Sequence, residues 1–241
     1  MTDPLKTGDI IGILGGGQLG RMLSVAASRL GLRTHIFEPA PNPPAADVAY
    51  QVTTASYDDE RALVDFAKSV NVVTYEFENI PTSALDILER HRVIRPGREA
   101  LRVSQDRLIE KTFLNELGLT TAPFAAVNSV DSLAKAMIDI GTPAILKTRR
   151  FGYDGKGQRM LKEASGIHDA WVSLGELPCV LEEWIDFQCE LSVVAARGLD
   201  GAVVAFPAIR NDHANHILDV SSCPADLPAE VLGEAEHLAA T

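Results

Sequence analysis

The chain is poor in cysteine, in tryptophan and in positive charge. Its three cysteines, Cys179, Cys189 and Cys223, form no C-x-x-C pair, and an odd count makes a poor disulfide framework, so a reducing cytoplasm is the expected setting. Lys and Arg number 22 against 33 Asp and Glu, a net charge of −11. That balance argues against nucleic acid or an anionic membrane as the main partner, while leaving room for a local basic pocket that takes an anionic metabolite. The N-terminal Met-Thr-Asp-Pro-Leu-Lys lacks the apolar core of a signal peptide, and no run approaches the ~18 apolar residues of a membrane helix, so neither export nor embedding is expected. Also missing is G-x-x-x-x-G-K-[ST], which excludes a phosphate loop of that type. The 46% hydrophobic content of 241 residues still suffices for a real core in more than one lobe.

Residues 9–14, Asp-Ile-Ile-Gly-Ile-Leu, have the pattern of a buried strand. They run into Gly15-x-Gly17-x-x-Gly20 and a helix whose Leu19, Met22, Leu23, Ala26 and Leu30 share one face, closed by Gly31. The next strand, 34–37, ends on Glu38, near the spacing at which a dinucleotide-binding βαβ unit places its ribose acid. Taken alone, this opening favours an NAD(P)-dependent oxidoreductase. Residues 57–68 read as an amphipathic helix with an acidic first turn. Strand 72–75 then delivers Glu76, Glu78 and Asn79 to the carboxyl edge of the sheet, where open α/β sheets keep their ligands. There Glu76 either faces a substrate amine or imidazole, or lies in a solvated acidic turn. A helix over 83–90 and Pro96-Gly97 end a first lobe spanning residues 1–100.

Helices are expected at 98–103, 106–117 and 129–140, with a strand at 123–127. Residues 147–158, Lys-Thr-Arg-Arg-Phe-Gly-Tyr-Asp-Gly-Lys-Gly-Gln, lie between the apolar runs 144–146 and 159–161. Gly152, Gly155 and Gly157 suit a hairpin that comes close to a ligand. Lys147 sits at the end of its first strand and Lys156 near its tip, a cradle for an oligophosphate. Standing alone, the loop reads equally well as a solvated turn. Further on, a short helix over 167–174 precedes strand 179–183, which ends in Glu182, Glu183, Trp184 and Ile185 and is followed by Glu190. With strands 190–197 and 202–206, joined at Gly198-Leu-Asp-Gly201, it is expected to form an antiparallel floor opposite the lid. His213 and His216 make a weak metal pair without a third ligand nearby. A last helix covers 227–240.

Gly15-Gly-Gly-Gln-Leu-Gly-Arg-Met22, Tyr75-Glu-Phe-Glu-Asn-Ile-Pro81, Asp106-Arg107, Phe151-Gly-Tyr-Asp-Gly-Lys-Gly-Gln158 and Glu182-Glu-Trp-Ile185 occur in that order. The series resembles that of the N5-carboxyaminoimidazole ribonucleotide synthetases, ATP-grasp carboxylating enzymes of purine synthesis, from about residue 9 to about residue 224. The resemblance implies an α/β chain: a Rossmann-like pre-ATP-grasp domain at 1–100, then an incomplete ATP-grasp fold, with a lid subdomain at 101–178 and the start of a C-terminal subdomain at 179–241.

The resemblance also implies ATP and Mg²⁺ as cofactors, and bicarbonate and 5-aminoimidazole ribonucleotide as substrates. It assigns ATP to Arg107, Lys147, Gly152, Tyr153, Asp154, Gly155, Lys156, Gly157, Gln158, Glu182, Glu183, Trp184, Ile185, Glu190 and His213. Lys147, Lys156 and Arg107 would stabilise phosphate charge, while Gly16, Gly17, Gln18 and Leu19 meet the phosphate of the ribonucleotide. Gln18, Glu76, Tyr153 and Asp154 would face the ribonucleotide itself, the last three acting in catalysis with both lysines. His216 falls where the family commonly has glycine. No metal ligands are assigned within the chain; they are implied in a segment beyond residue 241. A homodimer is implied as well, and a nucleotide-binding fragment without turnover remains the alternative.

Overall fold

Runs of Ile, Val and Leu without polar alternation predict strands buried on both faces, and four short strands organise the N-terminal part of the chain. The computed structural model describes residues 4–152, 155–163, 165–215 and 217–241, in two units, Met1–Asp106 and Arg107–Thr241. In the first unit, β1 (Ile10–Leu14), β2 (Arg33–Phe37), β3 (Gln51–Thr53) and β4 (Val72–Tyr75) form a parallel sheet in the order β3-β2-β1-β4. Alternate residues face opposite ways. Leu14, Phe37 and Val73 pack with Leu63 and Phe66 of α2 (Glu60–Ser69) and Leu85 and Leu88 of α3 (Thr82–Leu88). Ile13 and Ile36 meet Ala45 on the other face.

The helix after the glycine loop, α1 (Gln18–Arg29), is not seated on its apolar stripe. Leu19, Met22 and Leu30 are 56%, 65% and 73% exposed, while Gly20, Ser24 and Ala27 are buried. A Cβ at position 20 would come within 2.9 Å of the Gly15 carbonyl oxygen, so this helix can approach its loop only through small residues. The first unit also extends past the expected boundary at residue 100, because Leu101 of α4 (Arg98–Ser104) joins the same core as Leu85.

His35 on β2 is 2% exposed and packs edge-on to Phe66. Ser69 Oγ donates to the Phe66 carbonyl, so it accepts from His35 Nδ1 (2.7 Å), which leaves Nε2 to accept from Thr53 Oγ1 (2.8 Å). Burial lowers the imidazole from its ordinary 6.5 to about 4. The folded state then resists a proton that the unfolded chain takes up, so stability is present above pH 6.5 and is lost as pH falls from there to about 4. The expected loss is about 3 kcal/mol. Urea midpoints of wild type and His35→Gln between pH 7 and pH 4 check this; parallel curves would contradict it.

The second unit opens with α5 (Arg107–Glu116) and then builds an antiparallel sheet. Its strands are β5 (Phe124–Val127), β6 (Ala144–Thr148), β7 (Gln158–Leu161) and β8 (Cys179–Glu183), in the order β5-β8-β6-β7. Between them lie α6 (Val130–Ile140) and α7 (Ile167–Ser173). Ser129 and Ser132 close α6 with a reciprocal capping box, each hydroxyl accepting from the other residue's amide. Val127, Ala144, Leu146, Leu161, Cys179 and Leu181 bury one sheet face against Leu133, Met137 and Trp171. β8 therefore lies between β5 and β6 in the lid sheet, so the expected subdomain boundary at 178/179 would cut this sheet. The floor expected opposite the lid is instead a separate sheet of β9 (Glu190–Ser192), β12 (Ile209–Ala214) and β13 (Ile217–Ser222), ordered β13-β12-β9. Beside it in sequence are the hairpin β10 (Ala195–Arg197) with β11 (Val203–Ala205), and α8 (Ala229–Ala240).

Candidate functional site

With one face of the lid sheet sealed by α6 and α7, pleating sends the alternate residues to the other. Register sets Phe124 and Ile145 beside Glu182, Met160 beside Ile145, and Gln158 and Val180 beside Lys147. On that face Glu182 is 6% exposed. Lys147 Nζ lies 2.8 Å from its Oε2, and Lys111 Nζ, from α5, lies 3.5 Å from the same oxygen. Lys111 also stands over the Phe124 ring, 5.8 Å from its centroid. Burial pushes the neighbouring Glu110 carboxyl up, opposed by Arg107 and Lys111, with the negative charge of Glu182 adding to the rise. A buried carboxylate flanked by cations is the electrostatic centre of this unit.

Next to it Ile145, Met160, Trp184 and Phe187, with Gln158, line a cavity of about 510 Å³. Such a mostly apolar cleft beside a few convergent polar groups suits a flat aromatic ring. Glu183 is different. It pairs in register with Ala144, on the helix side, so its side chain does not join Glu182 on the cleft face. Its amide donates to the Pro123 carbonyl and that of Trp184 to Pro143.

The hairpin between β6 and β7 is closed by the Thr148 amide donating to the Gly157 carbonyl (2.8 Å). Gly157 has φ +70, and a Cβ there would lie 2.6 Å from Thr148 Oγ1, so this turn requires glycine. Arg107 braces the loop from α5: its amide donates to the Arg149 carbonyl and its guanidinium to the Gly152 carbonyl at 2.9 Å. Gly155 and Lys156 follow in the same turn, whereas Tyr153 and Asp154 lie outside the described residues, as does His216. Across β9 and β12, His213 Nδ1 comes within 2.6 Å of Glu190 Oε2. These two residues, expected at a nucleotide's phosphates and ribose, are thus neighbours.

In the first unit the glycine loop is occupied by the chain's own acids. The Gly16 amide donates to Glu38 Oε2 (2.9 Å), the Gly17 amide to Glu76 Oε1 (2.8 Å), and Ala40 holds Glu38 Oε1 (3.0 Å). Two of the amides assigned to a substrate phosphate, those of Gly16 and Gly17, are thus held by carboxylates in this structure. Glu38, the ribose acid of the oxidoreductase reading, is bonded to the same loop. Gln18 and Leu19 remain at the start of α1, where helix amides and the dipole favour an anion. Burial raises the Glu76 carboxyl; the Gly17 bond offsets this, and Glu38 and Glu78 add to the rise. Burial, then the charges of Glu38 and Glu76, raise the nearby Tyr57 hydroxyl.

Sequence reasoning missed Lys111. The signal was its spacing: four residues after Arg107 on one helix, it shares that residue's face.

The comparisons agree with this division. Residues 9–105 match the ribonucleotide synthetase preATP-grasp domain and residues 112–241 the ATP-grasp domain. The chain is 44% identical over 238 residues to the N5-carboxyaminoimidazole ribonucleotide synthase of Brucella melitensis, covering 98% of this chain and 66% of that protein. A crystal structure of an N5-carboxyaminoimidazole ribonucleotide synthetase in complex with ADP superposes with TM-score 0.93 at 38% identity, over 99% of this chain and 63% of the other. The Aspergillus clavatus N5-carboxyaminoimidazole synthase with ADP and 5-aminoimidazole ribonucleotide gives TM-score 0.87 at 28% identity, over 97% and 62%. The chain thus spans between 62% and 66% of the length of these three proteins.

Proposed function

Because the chain belongs to the ATP-grasp family, among the N5-carboxyaminoimidazole ribonucleotide synthases, we propose that it carboxylates 5-aminoimidazole ribonucleotide with bicarbonate at the expense of ATP. The observation that carries this is the buried Glu182 held by Lys147 beside the cavity of Ile145 and Trp184. In this reading the cavity takes adenine, with Glu182, Trp184 and Ile185 at its edge. Glu190 takes the ribose, and Lys147, Lys156, Arg107 and His213 meet the phosphates. The glycines 152, 155 and 157 and Gln158 let the hairpin close over them. In the first unit Glu76 and Gln18 bind the aminoimidazole, and the amides of Gln18 and Leu19 its phosphate. Tyr153 and Asp154 belong to the same assignment.

Bicarbonate is a poor electrophile. The γ-phosphoryl group of ATP passes to a bicarbonate oxygen, giving carboxyphosphate and ADP, and the exocyclic amine then takes the carboxyl group as phosphate leaves. Carboxyphosphate would hydrolyse in water, so the lid's part is to exclude solvent while its cations spread the phosphoryl charge.

Mg²⁺ accompanies ATP in such chemistry. Among the described residues no group of three or more His, Cys, Asp or Glu could hold a metal, so the residues do not fit a metal site and no step is assigned to one. A cytoplasmic setting is supported by the free cysteines, and a homodimer by the family and by the exposed apolar stripe of α1. Among the described residues no helix is long and apolar enough to cross a membrane.

The test is ADP formation. It is expected to require both bicarbonate and 5-aminoimidazole ribonucleotide. ADP release indifferent to the ribonucleotide contradicts the proposal, and ATP binding without any turnover favours the second reading, nucleotide binding without catalysis.

A further inference from the structure

We propose that Lys111 is a positioning residue that sets the base preference of the nucleotide site by acting through Glu182. The inference rests on reading that site as one for ATP. Two cations converge on Glu182 Oε2, Lys147 at 2.8 Å and Lys111 at 3.5 Å. Its other oxygen, Oε1, is buried and has no hydrogen-bond partner among the described residues. An unmatched buried acceptor is unfavourable, and a ligand N–H aimed at it removes the penalty. An ionised carboxylate can only accept. Oε1 therefore selects a purine that presents an amino group and rejects one that presents an oxo group, a 6-aminopurine over a 6-oxopurine.

Lys147 cannot hold this carboxylate in place by itself. It is also the cation assigned to the nucleotide's phosphates, and one ammonium on a flexible stem is a point contact about which a carboxylate turns. Lys111 supplies a second anchor from a different element, α5, and the Phe124 ring fixes its head at 5.8 Å. With two cations on Oε2, the direction of Oε1 is set before a nucleotide arrives. Lys111 thus places the acceptor without touching the base.

The experiment is calorimetric titration of the protein with Mg-ATP and with Mg-ITP, its 6-oxo counterpart. Wild type is expected to prefer ATP. Lys111→Met should weaken ATP about tenfold while moving ITP by no more than about twofold, and Lys111→Arg should keep the wild-type ratio. A merely structural role would weaken both nucleotides in step. Lys111→Gln replaces the Met variant if that protein does not melt cooperatively. An unchanged ATP-to-ITP ratio in the neutral variant, or its collapse in Lys111→Arg, overturns the proposal. Wild type binding both nucleotides equally overturns the role of Oε1, whereas binding neither sinks the nucleotide site on which the inference rests.

Discussion

Lys147→Ala is expected to weaken Mg-ATP binding by roughly two orders of magnitude, consistent with the 2–5 kcal/mol that truncating one partner of a buried hydrogen-bonded charge pair costs. The ammonium is 2.8 Å from Glu182 Oε2, and the two side chains are 21% and 7% exposed. Its removal has two effects. In the proposed site a phosphate loses its cation, and among the described residues Glu182 keeps only the longer contact to Lys111. The folded state should therefore also lose about 1–2 kcal/mol, less than a fully orphaned buried charge would cost because one cation remains. Calorimetry of the variant with Mg-ATP, alongside its melting curve, checks both effects. Affinity close to wild type would remove Lys147 from the nucleotide site.

Gly15→Ala should lower the proposed carboxylation by about a hundredfold, through Glu76 rather than through the loop alone. Gly15 has φ +97, and a Cβ there would lie 2.7 Å from Glu76 Oε1 and 2.8 Å from its Cγ. The carboxylate must leave the Gly17 amide, and the backbone carries the further penalty of a side chain at positive φ, about 1–2 kcal/mol. Gly8→Ala separates these effects. It has φ +93 but nothing within 4 Å of the added methyl group, so it should reproduce the stability loss and leave turnover near wild type. Equal turnover in the two variants would show that Glu76 is not where the chemistry needs it.

The parallel sheet was legible because strands such as residues 10–14 and 72–75 bury both faces and so read as unbroken apolar runs. The lid was legible because its turn needs glycine, and Gly157 in particular cannot carry a Cβ next to Thr148. The hairpin β12–β13 escaped notice because Asn211-Asp-His-Ala-Asn shows no apolar alternation to betray it. The helix after the glycine loop misled for a different reason. Its apolar stripe is real, but close approach to the loop selected the face of Gly20, Ser24 and Ala27 instead. Side-chain pairing was the least legible level. Glu182 read as an adenine contact, yet its nearest partners are lysines from two elements, and Glu38 read as a ribose acid, yet it closes on its own glycine loop. Nothing in linear spacing reports that a carboxylate will satisfy a backbone amide 22 residues away.

Which nucleotide this chain binds separates an ATP site from a dinucleotide site most directly. Parallel calorimetric titrations with Mg-ATP and with NADH decide it: binding of ATP without binding of NADH is the predicted result. NADH binding without ATP binding would contradict the account and return the glycine loop and Glu38 to a dinucleotide site.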